Sequence, residues 1–292
     1  MYELIQIGDR SYYIDCPSRI GVVKLSDSEV CLIDCGNDRS VGKKIKKILD
    51  GAGWTPRSIY LTHSHGDHIG GCSYLAQTTG CDIYASGIEA AYVNHTVLEP
   101  ILLWGAIPMS ALKSKFLMAE ASPARPLGEA NLPECISVIN LAGHSPDMVG
   151  YLIDDGVAFI GDAITPTHTL EKYKIAFTYD PAGFLRSLDT LEGLNAKTFL
   201  PSHAAPTNDL SEIIEENRSG VRFVSELILG LCPTPRSAEQ IIDGVFSTLG
   251  ITATVEQYGL IGSTVRSYLS YLTDSGALSL SIVDNSPKWI KI

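Results

Sequence analysis

Three of the chain's seven histidines and one aspartate fall within six residues, in the run Leu61-Thr62-His63-Ser64-His65-Gly66-Asp67-His68-Ile69-Gly70-Gly71. Imidazole nitrogen and carboxylate oxygen are the ligand atoms that zinc, iron and manganese accept. His63 and His65, two residues apart, point the same way if extended backbone continues through Ser64. Asp67 and His68 follow the bend and can face a second position beside the first. Gly66 is expected to let the backbone turn there without a Cβ in the way. A surface loop has no need of ligand-type side chains at this spacing, so the run is read as part of a metal site.

The elements on either side suit that reading. Arg57–Thr62 carries β-branched and aromatic residues after a turn and predicts a short buried strand. Ile69 to Ala76 predicts the opening of a helix. The histidines then occupy a strand-to-helix turn, where side chains converge on one point.

Further ligand types follow strands downstream: His144 in Leu141-Ala142-Gly143-His144-Ser145-Pro146-Asp147, Asp162 in Phe159-Ile160-Gly161-Asp162-Ala163, and His203 in Phe199-Leu200-Pro201-Ser202-His203. The H-x-H-x-D-H run with these three segments, in this order, resembles the ligand signature of the metallo-β-lactamase superfamily. The resemblance implies that His63, His65 and His144 hold one divalent ion, that Asp67, His68 and His203 hold another, and that Asp162 bridges them. It implies a hydroxide between the ions as nucleophile, made available at neutral pH because a metal lowers the pKa of bound water to about 7. Asp67 would be a catalytic residue as well as a ligand, orienting the hydroxide or taking its proton. Zinc is the first expectation for the metal, with iron or manganese as alternatives.

The family's fold is α+β, a four-layer αββα sandwich, and the pattern along the chain suits it. Strands are expected over 2–7, 12–16, 20–25 and 30–34, and an amphipathic helix over 41–49. After the metal turn comes a short strand at 82–85. A second half begins near residue 136, with strands over 136–141, 151–153 and 157–160, a helix over 184–194 and a strand over 197–200. Asp34 ends an apolar strand and is expected to fix backbone amides or a liganding histidine from behind. Residues 87–134 depart from the alternation and read as a helical insert, either peripheral or a wall of the substrate pocket. A helix is expected over 210–229, and the Cys232-Pro233-Thr234-Pro235 break divides a catalytic domain, 1–231, from a small one, 232–292. In the latter, helices over 237–249 and 260–274 and a hairpin around Asp284-Asn285-Ser286-Pro287 have the layout of a winged helix. Hydrolases of the β-lactamase-like 2 type in the same superfamily end in such a module.

The formal charge of −11 disfavours a nucleic-acid or anionic-membrane partner. From Cys232 to the end, four basic residues face five acidic ones, and Arg266 is the only cation on the would-be recognition helix, so no DNA reading is expected of it. Seven scattered cysteines without a C-x-x-C pair read as buried free thiols, and with no export signal they point to the cytoplasm. No run is long and apolar enough to span a bilayer. A homo-oligomer is compatible with the apolar and tyrosine positions of the second C-terminal helix.

These features predict a dinuclear hydrolase acting on a small-molecule ester, thioester or lactone. The alternatives are a metal-dependent endoribonuclease or phosphodiesterase, and a non-catalytic metal-dependent binding protein. His65 stands where flavodiiron oxidoreductases of this fold carry glutamate, which favours hydrolysis. The Gly-Cys-Gly-Arg stretch of glyoxalase II is replaced after the bridging aspartate by Ala163-Ile164-Thr165-Pro166-Thr167-His168. His168, Tyr173 and Tyr179 follow in what reads as a loop, and each is a candidate pocket residue.

Overall fold

A computed structural model describes residues 2–292. The first sheet has seven strands in sequential order: β1 (Glu3–Gln6), β2 (Ser11–Asp15), β3 (Ile20–Lys24), β4 (Glu29–Ile33), β5 (Thr55–Tyr60), β6 (Asp82–Ala85) and β7 (Ala124–Pro126). The first four pair antiparallel through short turns. From β4 onward pairing is parallel, because helical crossovers return the chain to the same edge. Those crossovers contain α1 (Arg39–Ala52), α2 (Gly66–Ile69), α3 (Cys72–Thr79), α4 (Gly87–Asn94) and α5 (Leu98–Trp104). Asp38 caps α1 by accepting from the amides of Ser40 and Val41, and Gly53 ends it in a left-handed conformation.

The second sheet has four strands in the order β11-β10-β9-β8, formed by β8 (Ile136–Asn140), β9 (Val149–Ile153), β10 (Val157–Gly161) and β11 (Thr198–Pro201). Between β10 and β11 run α6 (Thr167–Tyr173) and α7 (Pro181–Glu192). α8 (Ser211–Leu231), α9 (Ala238–Leu249), α10 (Val255–Asp274) and the hairpin β12 (Leu278–Val283) and β13 (Ser286–Lys291) complete the chain. Asp284 and Asn285, both at positive φ, make the two-residue turn of that hairpin.

Three buried clusters define the layers. Between the sheets, Val23, Cys31, Ile33 and Tyr60 meet Val149, Tyr151, Phe159 and Leu200. Outside the first sheet, Ile45 and Leu49 of α1 and Leu75 of α3 pack on Val30, Leu32 and Ile59. Outside the second, Ala158 and Ile160 support Phe184, Leu188 and Leu191 of α7, and the same cluster continues through Val221, Val224 and Ile228 of α8 to Ile241, Val245, Val265, Tyr268 and Leu269. The architecture is the αββα sandwich, and residues beyond Cys232 share their core with its outer layer.

The structure corrects several sequence expectations. The insert is not wholly helical, since Ala124–Pro126 adds a seventh strand to the sheet edge. α10 starts at Val255, five residues before the apolar spacing begins, because Thr254 and Gln257 form a reciprocal capping box. Residues 167–173, expected as loop, form α6, whose lack of any buried residue left no periodicity to read. Six of the seven cysteines are buried and Cys135 is partly so, all as free thiols. Among the described residues no helix is long and apolar enough to cross a membrane.

Candidate metal centre

The strand ends of both sheets open onto one point. Leaving β5, the chain bends at Thr62 and passes through His63 and Ser64 outside any strand or helix. His65 then forms the N-terminal boundary of α2, so Asp67 and His68 lie on a helical turn and not in a continuing loop. Gly66 has an ordinary φ; glycine is needed there because a Cβ would come within 2.8 Å of the Phe116 carbonyl oxygen of the insert. The expected bend is therefore made at His65, and Gly66 answers to a close approach. Gly143, at φ 136, turns the chain into His144 where a Cβ would strike the Phe184 amide at 2.1 Å.

His63 Nε2 and His144 Nε2 each lie 3.0 Å from His65 Nδ1. Beside them, His203 Nε2 is 3.2 Å from Asp67 Oδ2 and 3.3 Å from Asp162 Oδ2. His68 Nε2 is 3.6 Å from Asp67 Oδ2 and 3.5 Å from Asp162 Oδ1. The Asp162 Oδ2 also reaches within 3.6 Å of His144 Nε2, so this carboxylate faces both groups. Three sets of atoms are close enough to hold an ion: His63, His65 and His144; His63, His68 and Asp162; and Asp67, His68 and His203.

Whether these atoms suit a metal is decided by their other hydrogen bonds. Asp34 accepts from the Thr62 amide at 2.8 Å, the Thr62 hydroxyl at 2.7 Å and His68 Nδ1 at 2.9 Å. Having given its proton to Asp34, the Thr62 hydroxyl can only accept from His63 Nδ1, 3.0 Å away. His203 Nδ1 donates to the Pro17 carbonyl at 3.0 Å. In His63, His68 and His203 the outer Nδ1 thus donates its proton outward and Nε2 is the atom turned to the centre, which is how metal-binding imidazoles are oriented; His65 instead turns Nδ1 inward. His68 Nε2 and Asp162 Oδ1 are buried without a hydrogen-bond partner, a costly state that a bound cation relieves. The donor set fits divalent ions. Asp34 itself has φ 63, a conformation unfavourable for a side chain with a Cβ, and it is held there at a turn that aims the carboxylate under two of the rings.

Charge divides the cluster. Burial holds His63 neutral and pushes His144 down to about 4, with His65 adding to the effect. In the other group burial opposes charge, yet Asp67, Asp162 and Asp34 raise His68 well above its usual value. Burial likewise opposes the charged form of His203, but Asp162 and Asp67 push it up to about 10. Without metal, His68 and His203 are therefore cations at neutral pH, and a metal must displace their inner protons. Loading both ions at pH 7 is expected to release about two protons per chain, and affinity to rise with pH. Calorimetry in buffers of differing ionisation heat measures this, and a release near zero would contradict the assignment.

Sequence reasoning did not find four contributors. Glu89, fully buried on α4, accepts from the amide and hydroxyl of Ser64, and from the Ser145 hydroxyl at 2.7 Å and the Asp147 amide at 3.0 Å. It ties the loop carrying His63 and His65 to the loop carrying His144. Glu99 of α5 lies 3.8 Å from His65 Nε2, and burial, with Glu89 nearby, pushes its carboxyl up to about 8. Phe177 sets its ring edge-on to His65 and His144, at 5.4 and 5.8 Å between centroids. Ser18 donates to the Asp67 carbonyl at 2.8 Å and anchors α2.

Two cavities flank the cluster. One of about 420 Å3 has His144, Asp162 and His203 at its inner end, and Tyr173 on its wall. The other, about 200 Å3, meets His65, Asp67, Glu99, His144 and Asp162. Phe116, Phe177 and Leu260 stand between them and line both. His168 is exposed on α6 and lines neither; Thr169 and Tyr173 hold the inward face of that helix. Tyr179 lines a separate cleft with Arg266 and Tyr271.

Residues 13–203 match the family described as the Metallo-beta-lactamase superfamily. The chain is similar to the probable metallo-hydrolase YflN of Bacillus subtilis, 27% identical over 241 residues, which are 69% of this chain and 85% of that protein. It is 30% identical over 121 residues to a hydroxyacylglutathione hydrolase of Methylobacillus flagellatus, covering 41% of this chain and 38% of that protein. Among solved structures, a beta-lactamase domain protein from Burkholderia ambifaria superposes with a TM-score of 0.76 at 17% identity, covering 99% of this chain and 94% of that one. That likeness concerns the fold, and it extends through the C-terminal helices and hairpin.

Proposed function

The chain belongs to the metallo-β-lactamase superfamily and is a hydrolase of that fold, and from this premise we propose that it is a dinuclear enzyme acting on a small-molecule ester, thioester or lactone. The supporting observation is the surroundings of the metal-ligating atoms: they open onto cavities whose walls are largely apolar and carry no lysine or arginine. An RNA or phosphodiester substrate would bring several phosphates past Glu256 and the site's aspartates with no lysine or arginine to meet them. The hydroxyacylglutathione hydrolase relatives suggest thioester chemistry. The carboxylates of glutathione would find no lysine or arginine in either cavity, so the thiol portion is read as something else.

His63, His65 and His144 would hold one ion, Asp67, His68 and His203 the other, and Asp162 would face both. Such ions, zinc by first expectation, supply an acidified water and an electrophile for the carbonyl oxygen. The chain's own residues do the rest. Asp34 and Thr62 hold the His68 and His63 rings in the required tautomer. Asp67, which lines the smaller cavity, would orient the attacking water or take its proton. Phe116, Phe177 and Leu260 narrow the approach and exclude bulk water.

Purified, zinc-loaded protein tested against ester, thioester and lactone panels and against labelled RNA is expected to hydrolyse acyl substrates and leave RNA intact. RNA cleavage without acyl hydrolysis would overturn the proposal. The C-terminal unit is proposed to have a winged-helix arrangement without DNA reading. Its one recognition-helix cation, Arg266, is already paired with Glu239 at 3.2 Å.

A further inference from the structure

The larger cavity is shaped unlike a site for a compact polar substrate. From His144, Asp162 and His203 it runs outward between the segment after Asp162, α6 with its following loop, and the first turns of α10. Ile164, Ile175, Phe177, Ile251, Leu260 and Ile261 are among the side chains that line it. Beyond the metal-ligating residues, Glu256 is the only charged side chain along it. The smaller cavity shares Asp162 and His144 with it, so a scissile carbonyl held at those residues has room on both sides.

We propose that the larger cavity is an acyl-chain pocket, and that the substrates are esters, thioesters or lactones bearing an uncharged aliphatic acyl chain of medium length, with α10 as the wall that reads that length. This rests on the hydrolytic reading above. An octanoyl chain, at on the order of 30 Å3 per carbon, the share of a water molecule, fills more than half of the roughly 420 Å3 available, whereas an acetyl group leaves it nearly empty. Each methylene moved from water into such a wall strengthens binding about fourfold. A chain ending in a carboxylate or phosphate is disfavoured, because Glu256 stands on the wall away from the metal-ligating residues and no lysine or arginine lines the cavity. α10 can discriminate because it is fixed: Val265, Tyr268 and Leu269 on its inner face are buried in the core that α8 and α9 share, leaving Leu260 and Ile261 as a firm boundary. The leaving thiol or alcohol takes the smaller cavity, past Phe116 and Leu117.

The test uses zinc-loaded full-length protein and acetyl and octanoyl thioesters of N-acetylcysteamine, whose leaving thiol is small and uncharged and can be titrated as it is released. The kcat/KM for octanoyl is expected to exceed that for acetyl by at least about tenfold. Ile261→Trp and, separately, Ala176→Leu narrow the cavity from opposite sides and are expected to lower the octanoyl-to-acetyl ratio by at least about tenfold. A wild-type ratio near one, or a ratio unmoved in both variants, would overturn the proposal. Octan-1-ol binding, measured by calorimetry on the same proteins, separates the pocket from the chemistry. If neither thioester is cleaved but octan-1-ol binds wild type and is lost from the variants, the hydrolytic reading fails and the pocket stands. If octan-1-ol does not bind wild type, the pocket falls whatever the thioesters do.

Discussion

Asp162→Ala is expected to abolish hydrolysis to within a small residue, lowering kcat/KM by more than about a hundredfold. A hundredfold is the upper loss usually seen when only a hydrogen-bond partner of a metal ligand is removed, and Asp162 does more than that. Its two oxygens approach His68, His203 and His144, so no other carboxylate addresses both groups of imidazoles. Elemental analysis should find two ions per wild-type chain under metal-replete conditions and fewer in the variant. At most one ion per wild-type chain would contradict the dinuclear reading, and a variant that keeps both ions and full activity would remove Asp162 from it.

The same substitution has a second signature in metal-free protein, where Asp162 offsets the charges of His68 and His203. Removing one member of a buried ionic group costs about 3–5 kcal/mol, so the metal-free variant should unfold at clearly lower temperature near pH 6. The sign follows from the shifts. Burial works against the Asp162 carboxylate, but His68 and His203 lower it well below its usual value. Its contribution is therefore present above the ordinary carboxylate value near 4 and is lost as pH falls through the depressed one. His203, raised to about 10, contributes fully below the ordinary imidazole value and loses its share as pH climbs through about 10. The stability difference between wild type and variant should thus be widest at mildly acid to neutral pH and shrink toward both extremes. A gap constant from pH 3 to 10 would show that the carboxylate acts by packing alone.

The residues that meet in the candidate metal centre are marked in the chain because most stand in a short segment with a recognisable pattern: an apolar strand, then histidine or aspartate beyond its end. Asp34 was legible for the same reason. Glu89 was not. It lies in Ser86-Gly87-Ile88-Glu89-Ala90, where a lone acid in the first turn of a helix reads as an ordinary response to the helix dipole. Its partners are 25 to 58 residues away in sequence, so nothing local marks it as buried. The first turn of α10 is marked in the sequence by Thr254 and Gln257, whereas the helix's apolar spacing begins only at Leu260. That turn carries Glu256 and Gln257, both on the cavity wall. Ile136 and His144 implied a second half like the first. The first sheet nevertheless has seven strands to the second's four, and one of the extra strands, β7, comes from the insert, as three residues ending in a proline that no strand pattern would select.

Glu89 also permits the sharpest test of how the two ligand loops are held together. One of its oxygens accepts the Ser64 amide and hydroxyl, and the other accepts the Ser145 hydroxyl and the Asp147 amide. A hydroxyl can rotate to become an acceptor, but a backbone amide cannot. In Glu89→Gln, either orientation of the side-chain amide points its NH2 at a backbone N–H, leaving a buried donor unsatisfied at a cost of about 1–3 kcal/mol. That cost falls on the contact between the His63–His65 loop and the His144 loop, which together supply one set of three imidazoles. The opposite set, Asp67, His68 and His203, is anchored instead by Asp34, Ser18 and Pro17. Glu89→Gln is therefore expected to weaken one ion about tenfold to a hundredfold and leave the other near its wild-type affinity. Titration against a competing chelator should show two separated binding steps where the wild type shows both tight. Ser64→Ala and Ser145→Ala, which delete hydroxyls but keep the amide contacts, should do so far more weakly. If Glu89→Gln binds both ions as tightly as wild type, the clamp is structural only; if it weakens both equally, the two positions are not held by separate supports.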